Sequence, residues 1–211
     1  MKLSFLLATL AVGNGLNIVA TVGSFLSIRK LRIKVEEIGL FLGKSVVITC
    51  WGQKFRIGCI PTGTSVKYDV EDFRSRTTVE RVGAYLSGPL VLAMIALAIL
   101  GPTQALHHFS SGFRQLPMGA LHPVSIGQAL IADGQKIYLS SVWMWMGILA
   151  AKGTAASFIP FASINAGQLV QELFRLYDER GLGSWIVTVS ALLNIGMFTL
   201  WAFAMIRYAV G

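Results

Sequence analysis

Charged side chains are scarce in this chain. Of its 211 residues, 13% are Asp, Glu, Lys or Arg, whereas soluble globular domains carry roughly 25%. Three stretches have no charged residue at all, from Leu3 to Ile28, from Val82 to His107 and from Ser184 to Ile206. Each is long enough to cross a bilayer as a helix, which takes roughly 20 residues. The composition therefore argues against a soluble enzyme and indicates a membrane protein.

A fourth apolar stretch, from Ile137 to Ile159, carries a single charge, Lys152. We therefore predict an all-α polytopic membrane protein, a single membrane domain over residues 1–211 with four transmembrane helices. The first apolar run is longer than the core of a signal peptide and no A-x-A-like cleavage site follows it, so we expect it to remain as a helix. The four spans are predicted at about 3–28, 84–107, 137–159 and 184–206.

Lys and Arg are distributed unevenly between the segments that join these spans. Residues 29–82 hold eleven of them and residues 160–183 hold two, against four elsewhere outside the spans, at Lys2, Arg114, Lys136 and Arg207. Because basic residues accumulate in cytoplasmic loops, we predict a bacterial inner membrane protein with residues 29–82 in the cytoplasm and both termini outside it. The net charge of +8 comes from residues that flank spans, so no nucleic-acid partner is expected.

The connection on the predicted outer side, Pro102 to Gln135, is too short for a typical domain of 50 or more residues. We expect an interfacial loop or a short helix there. Cysteine is nearly absent, with Cys50 and Cys59 both in the predicted cytoplasmic segment. A reducing compartment disfavours a disulfide, so we expect both to be small buried apolar residues.

The cytoplasmic segment has the pattern of β structure. From Leu31 to Leu42, charged and apolar residues begin by alternating with a period of two, as in a strand with one buried face. Ser45–Cys50 and Phe55–Ile60 are short strand-like runs on either side of Trp51–Lys54, which suits a hairpin turn. Ser65–Tyr68 adds a further short run. We therefore predict a small cytoplasmic β-hairpin or sheet insertion at about 31–68, between the first and second spans.

Four segments of the chain resemble, in the same order, segments of the site-2 protease family, the intramembrane zinc metalloproteases. Residues 23–43 (GSFLSIR through VEEIGLFLG) are similar to the family stretch GHFLAAR…V.VEEFSIGFG, and residues 52–67 (GQKFRI through IPTGTSVK) to G..Y.I..IPLGGYVK. SGPL at 87–90 stands where the family has AGPL, and FIPFASINAG at 158–167 looks like LLPIPPLDGG. PVSIG at 123–127 is a weaker echo of GPVGIA. The resemblance implies a site-2-protease-like core.

In that family, two His residues four positions apart on a helix bind zinc, the Glu after the first His acts as general base, and an Asp from LDG completes the ligand set. The matching positions here are Ala20, Thr21, Ser24 and Asn165. None of them is an imidazole, a thiolate or a carboxylate, and neutral amide and hydroxyl groups bind zinc poorly. The resemblance therefore implies an inactive homologue with no catalytic residue, no metal and no other cofactor.

The remaining candidate site residues are partner contacts. Lys152 is a charge inside a span, where charges are costly and usually paired, although snorkelling to the interface is an equal alternative. Trp143 and Trp145 lie in the outer half of the third predicted span, where they suit lipid or a partner. Phe55 and Ile57 lie in the predicted hairpin.

Two functions remain. In the first, which we prefer, the protein is a structural or assembly subunit of a larger membrane complex, with other membrane proteins and lipids as partners. In the second, an extended segment of a transmembrane client adds to the edge of the hairpin, and the protein sequesters the client or presents it to a protease. The family's GGY reads Gly63-Thr64-Ser65 here, which weakens the second function because those positions shape the family's cleft.

Overall fold

The computed structural model describes residues 2–159, 164–174 and 182–211, with the backbone alone at 42, 60–62, 164–166, 171 and 173. These residues are mostly helical, with one small antiparallel sheet. In chain order the elements are α1 (Lys2–Lys30), β1 (Val35–Cys50), β2 (Gln53–Tyr68), α2 (Val70–Ser75), α3 (Thr78–Leu121), a π-helical turn (Pro123–Gly127), α4 (Gln128–Ser140), α5 (Val142–Phe158), α6 (Ile164–Leu173) and α7 (Leu182–Val210).

Three of the described helices, α1, α3 and α7, are long and apolar enough to cross a membrane. Many of their large apolar side chains are exposed. On α7, for example, Leu192 and Ile195 are each 63% exposed and Phe198 is 52% exposed. A helix that is apolar around its whole circumference needs an apolar environment outside the protein. The helices therefore confirm an integral membrane protein, with candidate spans at three of the four predicted positions.

The region of the remaining predicted span, 137–159, is not one helix. α4 ends at Ser140, and Ser141 is extended, with φ −159° and ψ 110°. The Ser141 side chain accepts a hydrogen bond from the backbone N–H of Met144 and so caps α5. The helix of this region therefore begins at Val142, five residues later than predicted, and its 17 residues rise about 25 Å.

α3 is broken at Gly101, where φ is 75° and ψ is 166°, a region of backbone space that is essentially reserved for glycine. Both halves of α3 contact the same turn of α5. A Cβ built on Gly153 would lie 3.4 Å from Leu92 Cδ1, and one built on Gly112 would lie 2.7 Å from Ala155 Cβ. Of the two alternatives expected after Pro102, helix is therefore the one that forms, and it is packed against α5.

The predicted hairpin turn is confirmed. Cys50 pairs with Gln53 across a two-residue connection, Trp51 and Gly52, whose φ angles are 51° and 73°. Positive φ at both central residues is typical of the type I′ turn, which matches the twist of the strands it joins. At the other end of the insertion, α1 continues to Lys30, so the strand begins at Val35 rather than at Leu31.

Each long strand bends, so that four short segments lie side by side. Residues 45–50 pair with 53–58, and residues 37–40 pair on one side with 54–57 and on the other with 64–67. The bends lie at Gly43 (φ 88°) and Gly63 (φ 77°), where glycine adopts positive φ without strain. The four strand-like runs of the sequence are thus all present. Both cysteines are free, and the prediction of burial is wrong for Cys59, which is exposed.

The chain divides into two compact units, Ala11–Val91, and Met1–Leu10 with Leu92–Gly211. In the first, the core consists of Ile28, Ile33, Phe73 and Ala84, each no more than 4% exposed. Val35, Val66 and Tyr68 of the sheet pack against this cluster. A sheet this small cannot bury much surface by itself, so it is stabilised by the helices at its base.

In the second unit, Trp145 is 2% exposed. Its ring centroid lies 5.9 Å from that of Phe5 and 5.1 Å from that of Tyr138, distances typical of aromatic pairs. This burial removes Trp145 from the candidate contacts with lipid or a partner. Trp143 is 70% exposed and remains one.

Replacing Gly101 with Ala should destabilise the second unit. No atom lies within 4 Å of a Cβ built at Gly101, so the effect comes from the positive φ alone, and we expect a loss of about 1–3 kcal/mol. Chemical unfolding in detergent micelles measures it. Gly196→Ala is the matched control, because its Cβ would also meet open space, while Ala is the better helix former inside α7. Equal unfolding free energies for the two variants would contradict the inference that the backbone at position 101 requires glycine.

Candidate functional site

α1 carries three of the four positions at which the resemblance would place a zinc ligand or the general base. The helix runs without a break from Lys2 to Lys30, so Ala20 and Ser24 lie one turn apart on the same side. Thr21 is 9% exposed, and Ala20 and Ser24 are half-buried. The fourth position, Asn165, lies in α6, and its side chain is outside the described part of the chain.

The Thr21 hydroxyl joins α1 to the sheet. It donates to the carbonyl of Asn17 at 2.9 Å, and its oxygen lies 2.6 Å from Thr64 Oγ1. Because a hydroxyl carries one proton and two lone pairs, Thr21 can donate to Asn17 and accept from Thr64. Thr64 belongs to the segment of β2 that resembles the family's GGYVK. The position that the resemblance assigns to the general base therefore holds a side chain that links the helix to the sheet.

Ser24 lies at a close contact between α1 and α3. A Cβ built on Gly88 would lie 2.9 Å from Ser24 Oγ and 3.0 Å from the carbonyl oxygen of Ala20. A Cβ on Gly23 would lie 2.7 Å from Val91 Cγ2. Contacts below 3.0 Å force a neighbour to move, so glycine at both positions allows this packing. The side of α1 that holds Ala20 and Ser24 is therefore filled by the first half of α3.

These residues do not fit the zinc ion that the family binds. Zinc in such sites takes three or four nitrogen, sulfur or carboxylate ligands. Ala20 has no ligand atom, the Thr21 hydroxyl is engaged with Asn17 and Thr64, and Ser24 lies against Gly88. Among the residues that the structure describes, no group of three or more His, Cys, Asp and Glu side chains is placed to hold a metal.

An ion pair between Glu37 and Arg56 joins two neighbouring segments of the sheet. Arg56 Nε donates to Glu37 Oε1 at 2.8 Å, and the guanidinium also forms an ion pair with this carboxylate. The hydrogen bond from Arg56 holds the pKa of Glu37 below its ordinary value. A carboxylate with a lowered pKa stabilises the folded state at pH above its unfolded pKa, and this stabilisation is lost as the pH falls through the folded pKa. Acid therefore loosens this contact.

Phe55 and Ile57 lie in an inner segment of the sheet. Phe55 pairs with Ile38 and Ile48, and Ile57 pairs with Leu40 and Val46. A client strand needs an edge whose backbone groups are unpaired, and residues 54–57 are paired on both sides. The structure therefore moves the candidate edge for strand addition from Phe55 and Ile57 to Ser45–Cys50. This edge exposes Val46 (67%), Val47 (54%) and Ile48 (49%).

Lys152 lies on α5 against the second half of α3. A Cβ built on Gly112 would lie 3.6 Å from Lys152 Cα and 3.7 Å from its Cγ, so glycine makes room for the lysine stem. The ammonium forms no hydrogen bond or ion pair with the residues that the structure describes. Asp133 is close enough for its charge to act on Lys152. Its carboxylate, however, forms an ion pair with Lys136 at 3.0 Å.

The fold and these positions define an integral membrane protein with a β insertion after its first candidate span. The chain belongs to peptidase family M50, the site-2 protease family, whose family model matches residues 22–203. The match includes Ser24 and Asn165 and begins directly after Thr21. No curated protein matches the sequence significantly.

Two features of the site could not be found from the sequence. The Thr21–Thr64 bond joins residues 43 positions apart, and no local pattern predicts such a pairing. The pairing of residues 37–40 with two other segments at once is also visible only in the folded structure. Its only signals were Gly43 and Gly63, since glycine inside a strand pattern indicates a bulge or a bend.

A double-mutant cycle tests the Thr21–Thr64 bond. Thr21→Val and Thr64→Val each remove one hydroxyl while keeping the branched shape, and we expect each to cost about 1 kcal/mol of unfolding free energy. Because both changes break the same bond, the double variant should cost less than the sum of the two, with a coupling of about 0.5–1.5 kcal/mol. Thr9→Val is the control, since Thr9 donates only to the Phe5 carbonyl of its own helix. Strictly additive losses would contradict the bond.

Proposed function

We propose that this protein is a non-catalytic member of peptidase family M50 that serves as a structural or assembly subunit of a larger membrane protein complex. One observation supports the proposal: the α1 positions that the resemblance assigns to the zinc ligands and the base hold Ala20, Thr21 and Ser24, which pack against α3 and the sheet. Without a polarised water there is no nucleophile for amide hydrolysis. The scaffold then acts through its contacts with other chains.

We propose four membrane crossings, with α5 as the third in chain order. Lys2 at the start of α1 and Arg207 at the end of α7 line the same cavity, so these two helix ends lie close together. Ends on one side of a membrane need an even number of crossings, whereas α1, α3 and α7 supply three. The 17 residues of α5 reach the lower limit of about 17 for a transmembrane helix. The excess of Lys and Arg in 29–82 supports a cytoplasmic sheet and outer termini in a bacterial inner membrane.

Lys152 is the proposed contact with a partner subunit. A charge inside a transmembrane helix is costly unless it is paired, and the described residues give its ammonium no partner. An acidic or carbonyl group on a neighbouring membrane protein, or a lipid phosphate at the inner interface, would supply one. Trp143, whose ring is 70% exposed, lies nine residues before Lys152 and so on the opposite face of α5, where it offers a second surface to neighbours.

The second candidate function is client binding in regulated intramembrane proteolysis. The observation that favours it is the open edge Ser45–Cys50, where apolar side chains are exposed beside unpaired backbone groups. An extended client segment could add there as a further strand. A client spectrum, rather than fixed partners, would distinguish this function from assembly.

The first test concerns metal. The protein purified from cells grown with zinc should contain no stoichiometric zinc, because Ala20, Thr21 and Ser24 offer no imidazole or carboxylate. Elemental analysis of the purified chain measures it. One zinc per chain that is lost in Ser24→Ala and in an Asn165→Ala variant would overturn the non-catalytic assignment, whereas zinc that persists in both variants would be bound elsewhere.

The second test concerns assembly. Purification of the full chain from its own membrane in mild detergent, followed by quantitative mass spectrometry, should recover a small set of stoichiometric partners. Lys152→Met removes the charge and keeps the stem, and we expect partner recovery to fall about tenfold. Lys136→Met is the control, because Lys136 is exposed and pairs only with Asp133.

The outcomes separate the candidates. Unchanged recovery after Lys152→Met would show that Lys152 snorkels to the interface, which contradicts its role in assembly. Many transmembrane proteins at low occupancy, lost when Val47 in the Ser45–Cys50 edge is replaced by Pro, would favour client binding instead. Proline removes a backbone donor and is poorly tolerated in a paired strand, so a docked client would dissociate.

A further inference from the structure

A cavity of about 400 Å³ lies where the start of α1, the end of α7 and the beginning of α4 meet. We call it the terminal cavity and define its polar wall by Lys2, Ser125, Gln128, Arg207 and Tyr208. All of these residues belong to the second compact unit. Because α1 and α7 are candidate membrane spans, their ends lie at the depth of lipid headgroups.

The terminal cavity is positively charged. Lys2 and Arg207 are 205 positions apart in the sequence and converge on it. Neither forms an ion pair with a described residue. No Asp or Glu side chain is among the described residues that line the cavity. Gly211 also lines the cavity, and the charged side chains there are those of Lys2 and Arg207, two cations that make a site for an anion.

One of these cations is held in place. The Lys2 ammonium lies over the ring of Tyr208, 5.2 Å from its centroid, a cation–π contact. The Tyr208 hydroxyl is hydrogen-bonded to Gln135 Oε1, and Gln135 is 9% exposed. The hydrogen bond to Gln135 holds the Tyr208 ring in place, and the ring positions Lys2 at the cavity. Ser125 and Gln128, which also line the cavity, add neutral hydrogen-bond donors.

The rim beside the charges is apolar. Val124, which lines the cavity together with Ala129 and Ala132, is 53% exposed. Water would solvate these side chains poorly, whereas an acyl chain would cover them. A cationic wall next to an exposed apolar rim at headgroup depth matches the two parts of a phospholipid.

We propose that the terminal cavity binds the phosphate group of an anionic phospholipid, with Lys2 and Arg207 as its charge partners. Arg and Lys are the residues that recognise phosphate oxygens through charge-assisted hydrogen bonds. Basic pockets between transmembrane helices bind lipid headgroups on the same principle. The site uses none of the positions on which the proposed assembly function rests, so either can fail without the other.

The experiment is a titration of the purified full chain, in mild detergent, with phosphatidylglycerol and native mass spectrometry as readout. Loss of both cations in a Lys2→Gln, Arg207→Gln double variant should weaken the tightest binding event about tenfold or more. Arg207→Lys keeps the charge and should retain binding within about threefold. Lys136→Gln is the matched control, because this lysine lies on α4 outside the cavity and should leave binding unchanged.

Two further arms identify the source of the phosphate. Phosphatidylcholine, whose choline neutralises the headgroup, should bind more weakly than phosphatidylglycerol. Inorganic phosphate at equal concentration should not displace the bound lipid, because it lacks the acyl chains that cover the apolar rim at Val124. Displacement by inorganic phosphate would overturn the lipid assignment, and equal phosphatidylglycerol binding by the folded double variant and the wild type would overturn the site itself. Unfolding in detergent verifies that the double variant is folded.

Discussion

Close contacts between small residues are the interaction on which the described helices depend. In a bilayer the lipid tails are as apolar as leucine, so helices gain little from hiding apolar side chains from their surroundings and associate through close packing instead. In the first unit α1 meets α3 at Gly23 and Gly88. In the second unit α5 receives the two halves of α3 at Gly153 and Gly112. A larger residue at these contacts would separate the backbones and leave the helices without their main source of attraction.

Backbones this close also decide where polar side chains can go. Ser190 on α7 is fully buried and donates to the carbonyl of Ile186, 2.7 Å away in its own helix. Trp201 Nε1 donates to the carbonyl of Leu116 at 3.1 Å, across the interface between α7 and α3. In an environment without water each buried donor needs such a partner. Lys152, which is half-buried, has no hydrogen-bond or ion-pair partner among the described residues, so its charge is a natural place to look for a contact beyond this chain.

The parts of the fold that depend on local patterns were predictable from the sequence. Three spans follow from the absence of charge, and the Trp51–Gly52 turn follows from two strand-like runs around a glycine. The break at Gly101 was not predicted, because Gly-Pro inside an apolar run is compatible with both a continuous and a folded helix. Ser141 was missed for a similar reason, since serine is tolerated in a helix and also caps one. The burial of Trp145 depends on Phe5 and Tyr138, two residues that no sequence pattern connects to it.

Electrostatics explains why a hydroxyl at position 21 is compatible with Ala20 and Ser24 on the same helix. In the family the Glu of the helix motif lies beside a metal ion, and that charge keeps a carboxylate tolerable inside the membrane. Ala20 and Ser24 lie at the positions that the resemblance assigns to the two histidines, so a Glu at position 21 would have no cation nearby on α1, and burying an unpaired carboxylate costs far more than burying a hydroxyl. Thr21 avoids this cost, because its one donor and its acceptors are satisfied by Asn17 and Thr64. The same bond ties α1 to the sheet, so this position now contributes to the packing of the first unit.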